Sequence, residues 1–340
     1  MSNVDVNPEI RTYHTYAFAE SIMGAHKNHK DWKANNYIQI MAYEDFFNGT
    51  AVIEYLAGTV FGGSELLDYE DFSDDKEHIV ESLENMNQFF EESFQQNASV
   101  YTFVDEYYVP STSSYQKEHF EHDILICGKQ EEGYEYLGYD SIGNYSKNLL
   151  PEELLYKAVQ IDNKCVKVIK CNTKSYQFDL KKFIVMLEEY LYAKDSRNNL
   201  DLYLYNEAYN ECFYRPKFKR PLVFGTDVYI LLKNMVDIVL SNNLDYDKRI
   251  IHLLKEHKES MMAKIIYLTD HNYLDNGTYF QNKYSEIVKE AKSIEYIGLS
   301  YAFSKDKEKL RKVLEKLLAL KEKEEQILKE LLEELYKKEK

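Results

Sequence analysis

Cysteine is scarce. The four present, Cys127, Cys165, Cys171 and Cys212, are too few for a disulfide framework, and no two form a CxxC pair. Glycine is scarce as well, at 12 residues. Neither GxGxxG nor GxxxxGK[ST] occurs, which removes the usual backbone cradles for dinucleotides and nucleoside triphosphates. Positive charge is short: 42 Lys and Arg face 58 Asp and Glu, a formal net charge of −16. That excludes the basic face needed to displace counterions from nucleic acid or to hold an anionic membrane. No apolar run reaches the length of about 18 residues that would span a bilayer. The opening MSNVDVNPEIRTY has no apolar signal-peptide core. These absences lead us to expect a soluble cytoplasmic protein. HExxH spacing is also missing, because His252 and His257 stand five apart around Glu256. His26 and His29 in HKNHK read as a surface turn, so no metal ligand set is expected.

What the chain does have is a sizeable core and many rings. Hydrophobic residues make up 44% and charged residues 29%, and there are 31 tyrosines, whose rings bury area while their hydroxyls seek partners. Residues 12–30 have helical spacing at Phe18, Ile22 and Met23, with His14 and Thr15 in the entry turn. NNYIQIMAYE (35–44) alternates like a strand, and 76–98 reads as a helix. SVYTFVDEYYVP (99–110) is a strand that Pro110 stops, and HFEHDILICGKQ and YEYLGYDSIG form two more around a short turn. LPEELLYKAVQ is a helix with Pro151 in its first turn, NKCVKVIKCN a strand, and 177–193 an amphipathic helix. Helix first and antiparallel-looking strands afterwards give an α+β class.

From residue 222 onward the pattern is helical. The last helix carries Leu310, Val313, Leu317, Leu320, Ile327, Leu331 and Leu335, whose heptad phase slips between Leu320 and Ile327. Docking on its own domain is favoured over a homo-oligomer contact. The expected organisation is a domain at 1–195, a connection at 196–221 and an α-helical domain at 222–340. The connection ends in Arg215, Lys217, Lys219 and Arg220, a concentrated positive run in an acidic chain. It is either a solvated loop or a contact for an anionic group such as phosphopantetheine or an acidic carrier protein.

One constellation carries chemistry. His122 starts DILICG, and Asp140 ends the following strand in LGYD. A hairpin would bring these two ends together as an imidazole and its orienting carboxylate. His119 and Asp123 compete for these roles, although strict alternation places Asp123 on the face opposite His122. Cys127, five residues beyond His122 and mid-strand, reads as a buried core thiol.

The stretch VDEYYVPSTSSYQKEHFEHDILICGKQEEGYEYLGYDSIGNYSKNLLPEELLYKA (104–158) resembles the His–Asp half of C39-like, papain-fold proteins of the butirosin-biosynthesis H-like group. WKANNYIQI (32–40) and DYDKRIIHLLKEHKESMMAKIIYL (245–268) add to the likeness. The resemblance implies a papain-like domain with an antiparallel sheet and a Cys–His–Asp triad. It implies an acyltransferase or peptide ligase that moves an acyl group from a carrier-protein thioester to a small amine in antibiotic biosynthesis. No cofactor is bound in that chemistry; the acyl group arrives on phosphopantetheine. The alternatives are an inactive C39-like accessory protein and a cysteine peptidase.

Against that pattern the N-terminal helix has no thiol. Ala17, in Ala17-Phe18-Ala19-Glu20-Ser21, matches the cysteine of papain-type helices, with Thr12 as the alternative match. In the first case the N–H of residue 17 would serve as an oxyanion donor. Arg11, Asn7 and Gln39 are the side-chain candidates for that role.

Overall fold

A computed structural model describes residues 4–44, 53–203, 219–242 and 247–339. The fold is α+β, with antiparallel sheets and a helical C-terminal region. The chain divides into two compact units. One is Met1–His29 with Gly58–Tyr176, the other Lys30–Ala57 with Gln177–Lys340.

The first unit is built on a six-stranded antiparallel sheet. Its strands are β3 (Leu67–Asp71), β4 (Ser99–Asp105), β5 (Glu121–Gln130), β6 (Gly133–Tyr139), β7 (Tyr145–Leu150) and β8 (Val166–Cys171), in the order β3-β8-β4-β5-β6-β7. The central strands β4 and β5 are buried on both faces and lack the alternation of a half-exposed strand. On one face Val100, Val104, Ile124, Ile126 and Tyr136 meet Met86 and Phe90 of α4 (Leu83–Gln95) and Leu155 and Ala158 of α5 (Glu152–Ala158). The short helix α3 (Lys76–Ile79) precedes α4, which Ser82 caps by accepting the N–H of Asn85.

The other face carries α1 (His14–Met23), buried continuously from Tyr16 to Met23. Phe18 lies 6.2 Å from the Tyr101 ring and 6.0 Å from Tyr145, and Ser21 Oγ is 3.0 Å from Tyr145 Oη. Burying a ring such as Phe18 stabilises by roughly 1.5–3 kcal/mol. This helix is therefore fixed from its first turn to its last. The β5–β6 turn depends on Gly133, at φ +148°, where a Cβ would stand 2.3 Å from the Leu150 carbonyl oxygen.

The second unit combines a three-stranded antiparallel sheet with helices. The strands are β1 (Ile40–Tyr43), β2 (Ile53–Tyr55) and β9 (Leu222–Phe224), in the order β2-β1-β9. The helices are α2 (His29–Asn35), α6 (Leu180–Leu191), α7 (Val228–Asn242), α8 (Lys248–Asp270), α9 (Gly277–Ser304) and α10 (Lys307–Glu339). The expected single break within 196–221 is not where the units divide. Helix α6 and the β1–β2 segment belong with the C-terminal helices, because β1 pairs with β9 through Met41 opposite Phe224.

The apolar face of α10 is spent inside this unit, where Leu310, Val313, Leu317, Leu320, Leu328, Leu331 and Leu335 are buried. The heptad slip has a cause. Glu324 occupies the seam, fully buried, and bonds Lys258 Nζ at 2.8 Å. It also accepts the hydroxyls of Tyr190 (3.1 Å), Tyr229 (2.7 Å) and Tyr284.

Nearby, His252 of α8 bridges Glu256 at 3.1 Å and Glu295 of α9 at 2.5 Å. Burial opposes its charge, but the two carboxylates outweigh it and push its pKa up to about 9. A pKa raised on folding adds stability that is complete below the unfolded value, about 6.5, and lost as pH rises through the folded one. The melting temperature is therefore expected to fall between pH 6.5 and 9 in excess of the His252→Gln variant. Melts of the two proteins across that range check it.

Among the described residues no helix is long and apolar enough to cross a membrane.

Candidate functional site

Helix α1 opens at His14, with Tyr13 at the N-cap and no side chain capping it. Its first residue faces the start of β5, and the two together build a cluster. Asp123 Oδ1 lies 2.7 Å from His14 Nδ1 and 3.2 Å from His122 Nδ1. Oδ2 accepts the hydroxyl of Tyr101 at 3.1 Å. Tyr101 pairs with Leu125 across the β4–β5 ladder, so its long side chain reaches Asp123 on the diagonal. The His14 ring is held between Phe18, stacked at 5.1 Å one helical turn on, and Tyr139, stacked at 4.5 Å. It meets His122 edge-on at 4.3 Å.

The burial of these groups is graded. Side-chain exposure is 10% for His14, 11% for Asp123 and 34% for His122, so solvent reaches the cluster through the His122 ring. His14 Nε2 is buried and has no hydrogen-bond partner. Two clefts of about 390 and 370 Å³ lie elsewhere: one beside Lys76, Gln160 and Lys164, the other beside Glu44, Leu231 and Ile238.

The electrostatics follow from the same geometry. Burial raises the cost of charging Asp123, yet the hydrogen bonds and charge of His122 and His14 outweigh it and hold the carboxyl well below its ordinary range. Burial lowers the His14 pKa, and Asp123 only partly offsets it. His122 is less buried, and Asp123 with Glu106 raises its pKa. Desolvation and the Asp123 charge push the Tyr101 phenol far up. The cluster therefore favours one carboxylate, a neutral His14 and a more readily protonated His122. His14, His122 and Asp123 each offer a ligand atom within 4.8 Å of the others, close enough to share a metal ion.

The sequence-derived site is redrawn at three points. Asp140 does not orient His122. Its carboxylate accepts the N–H groups of Ile142 (3.0 Å) and Asn144 (2.9 Å) and the Asn144 amide, closing its own exposed loop. His122 and Asp123 are both paired in the β4–β5 ladder and start from opposite faces, yet the His122 ring turns back on its neighbour, and Nδ1, the ring nitrogen nearest its own backbone, comes within 3.2 Å of Asp123 Oδ1.

Ala17 does not open the helix. It is the fourth residue, fully buried, and its N–H already bonds the Tyr13 carbonyl at 3.1 Å, so it is no oxyanion donor. Thr12 is half-buried, two residues before the helix, and Arg11 and Asn7 are exposed. Gln39 is fully buried within the second unit, where its amide donates to Ser196 Oγ at 2.7 Å.

Among the positive residues, Arg215 and Lys217 lie outside the described residues. Arg220 sits 3.9 Å over the Tyr43 ring, and Lys219 is exposed. The described cysteines are not activated. Cys127, buried, is pushed up to about 12, Cys171 to about 11, and Cys165 is also raised, each by burial. Cys212 lies outside the described residues.

Sequence reading gives His14 no role beyond the helix entry turn and ranks Asp123 behind Asp140. The signal present was a histidine in the entry turn of the first helix and a His–Asp dipeptide at a strand mouth.

No protein-family model matches this chain, and no curated protein matches it. The functional reading therefore rests on the cluster itself.

Proposed function

We propose that the first unit is an acyltransferase that forms amide bonds without a covalent acyl-enzyme, using His14 as general base. The observation that carries this is the His14 ring itself: Nδ1 is bound to Asp123 at 2.7 Å and Nε2 is left buried and unpartnered. An imidazole that donates from Nδ1 to a carboxylate presents its lone pair at Nε2, the arrangement a base requires.

In the transfer step an amine gives a proton to His14 Nε2 as its nitrogen attacks the carbonyl carbon of a thioester. The C–N bond forms, the C–S bond breaks, and the proton held by His14 passes to the departing sulfur. Amide and free thiol are the products. Asp123 keeps the base in one tautomer and stabilises the imidazolium formed in passing. The first N–H groups of α1 have no acceptor within the helix and suit the carbonyl oxygen as charge develops there. His122 meets the substrate from the solvent side.

A buried helix whose start faces an antiparallel sheet bearing the histidine supports a papain-like arrangement for this unit. The donor we propose is an acyl group carried as a thioester on a carrier's phosphopantetheine. The missing thiol also fits a binding protein that holds such a carrier without turning it over.

The test is steady-state kinetics with a small acyl thioester and an amine varied together. Direct transfer gives intersecting lines; a covalent intermediate gives the parallel lines of a ping-pong scheme.

A further inference from the structure

We propose that His14, His122 and Asp123 also bind a divalent transition-metal ion of the zinc class. Two imidazoles and a carboxylate are the donor set that zinc, cobalt and nickel share. Each residue offers a ligand atom within 4.8 Å of the other two. Ligands about 2.0–2.2 Å from a tetrahedral ion stand about 3.3 Å apart. The His122 Nδ1–Asp123 Oδ1 separation, 3.2 Å, already fits, and the His14 contact at 2.7 Å needs to open by roughly half an ångström.

The surroundings are those of a ligand shell. The second carboxylate oxygen of Asp123 is tied to Tyr101 Oη, and packing between Phe18 and Tyr139 fixes the His14 ring. Three protein ligands leave a fourth position for water, on the side where His122 meets solvent.

An ion seated there takes up the imidazole that the transfer step needs, so zinc inhibits the reaction. That consequence rests on the function proposed above; the binding itself rests on geometry alone.

The experiment uses the untagged full-length protein after chelation. Cobalt(II) is titrated in and followed by visible absorption, and zinc is titrated against it by calorimetry. One ion per chain is expected, with the intense bands of a four-coordinate site. His122→Ala and Asp123→Asn are each expected to weaken binding by at least about 100-fold. His26→Ala, outside the cluster, leaves it unchanged. His122 is partly exposed, and far-ultraviolet circular dichroism confirms that its variant folds. Failure of cobalt to bind, or an affinity that survives both variants, overturns the site. Zinc that binds at this cluster yet leaves acyl transfer untouched supports the ion site and removes the base from it. Absent binding, with transfer still lost in His14→Gln, does the reverse.

Discussion

Asp123→Asn is expected to reduce acyl transfer by about 10⁴-fold while the protein stays folded. The side chain keeps its size, and one of its two polar atoms still accepts the Tyr101 hydroxyl that now reaches Oδ2 at 3.1 Å. What changes is the other atom. An amide NH₂ facing His14 Nδ1 must donate, so the ring turns that nitrogen into an acceptor and places its proton on Nε2. The base then has no lone pair where the amine arrives. The imidazolium formed during transfer also loses its counter-charge, which matters most in a site where His14 and Asp123 are about nine-tenths buried. Loss of rate with little change in apparent amine affinity separates this effect from weakened binding. Melting curves and circular dichroism of the variant exclude unfolding as the cause.

Glu324→Gln is expected to destabilise the helical unit by roughly 3–5 kcal/mol, the cost of removing one partner from a buried ion pair. Lys258 and Glu324 have no exposed side-chain surface, and Lys258 Nζ stands 2.8 Å from the carboxylate. Without that charge the ammonium must either stay buried unpaired or give up its proton. Burial already lowers the Lys258 pKa, and Glu324 is what opposes that shift. The tyrosine hydroxyls lose an ionised acceptor at the same time. A Lys258→Met, Glu324→Leu double variant removes both charges and is expected to recover only part of the loss, because each stranded hydroxyl costs about 1–3 kcal/mol. Chemical denaturation of the three proteins measures the difference.

The same two clusters show what the sequence could reveal. The α+β class, the first helix, the β5–β6 hairpin and the C-terminal helices follow from local periodicity, which a single segment carries by itself. In the polar strand YSKNLL (β7) only the two end residues are buried, so the segment carries little apolar signal. The β1–β9 pairing joins residues far apart in the chain, and no local pattern encodes it. His122 was legible because it leads an apolar run. Its partner was not, because alternation puts Asp123 on the other face of β5, and only the turn of the His122 ring toward its own neighbour brings the two groups within 3.2 Å. The phase slip in α10 was legible, but its cause required the partner Lys258, contributed by another helix.

The central claim is that a histidine, not a thiol, drives transfer. The most direct measurement compares two variants with a thioester donor and an amine acceptor. One replaces all four cysteines with serine, and the other is His14→Gln. The account expects the cysteine-free protein to retain transfer and His14→Gln to lose about 10² to 10⁴-fold. Transfer that vanishes with the cysteines and survives in His14→Gln would contradict it.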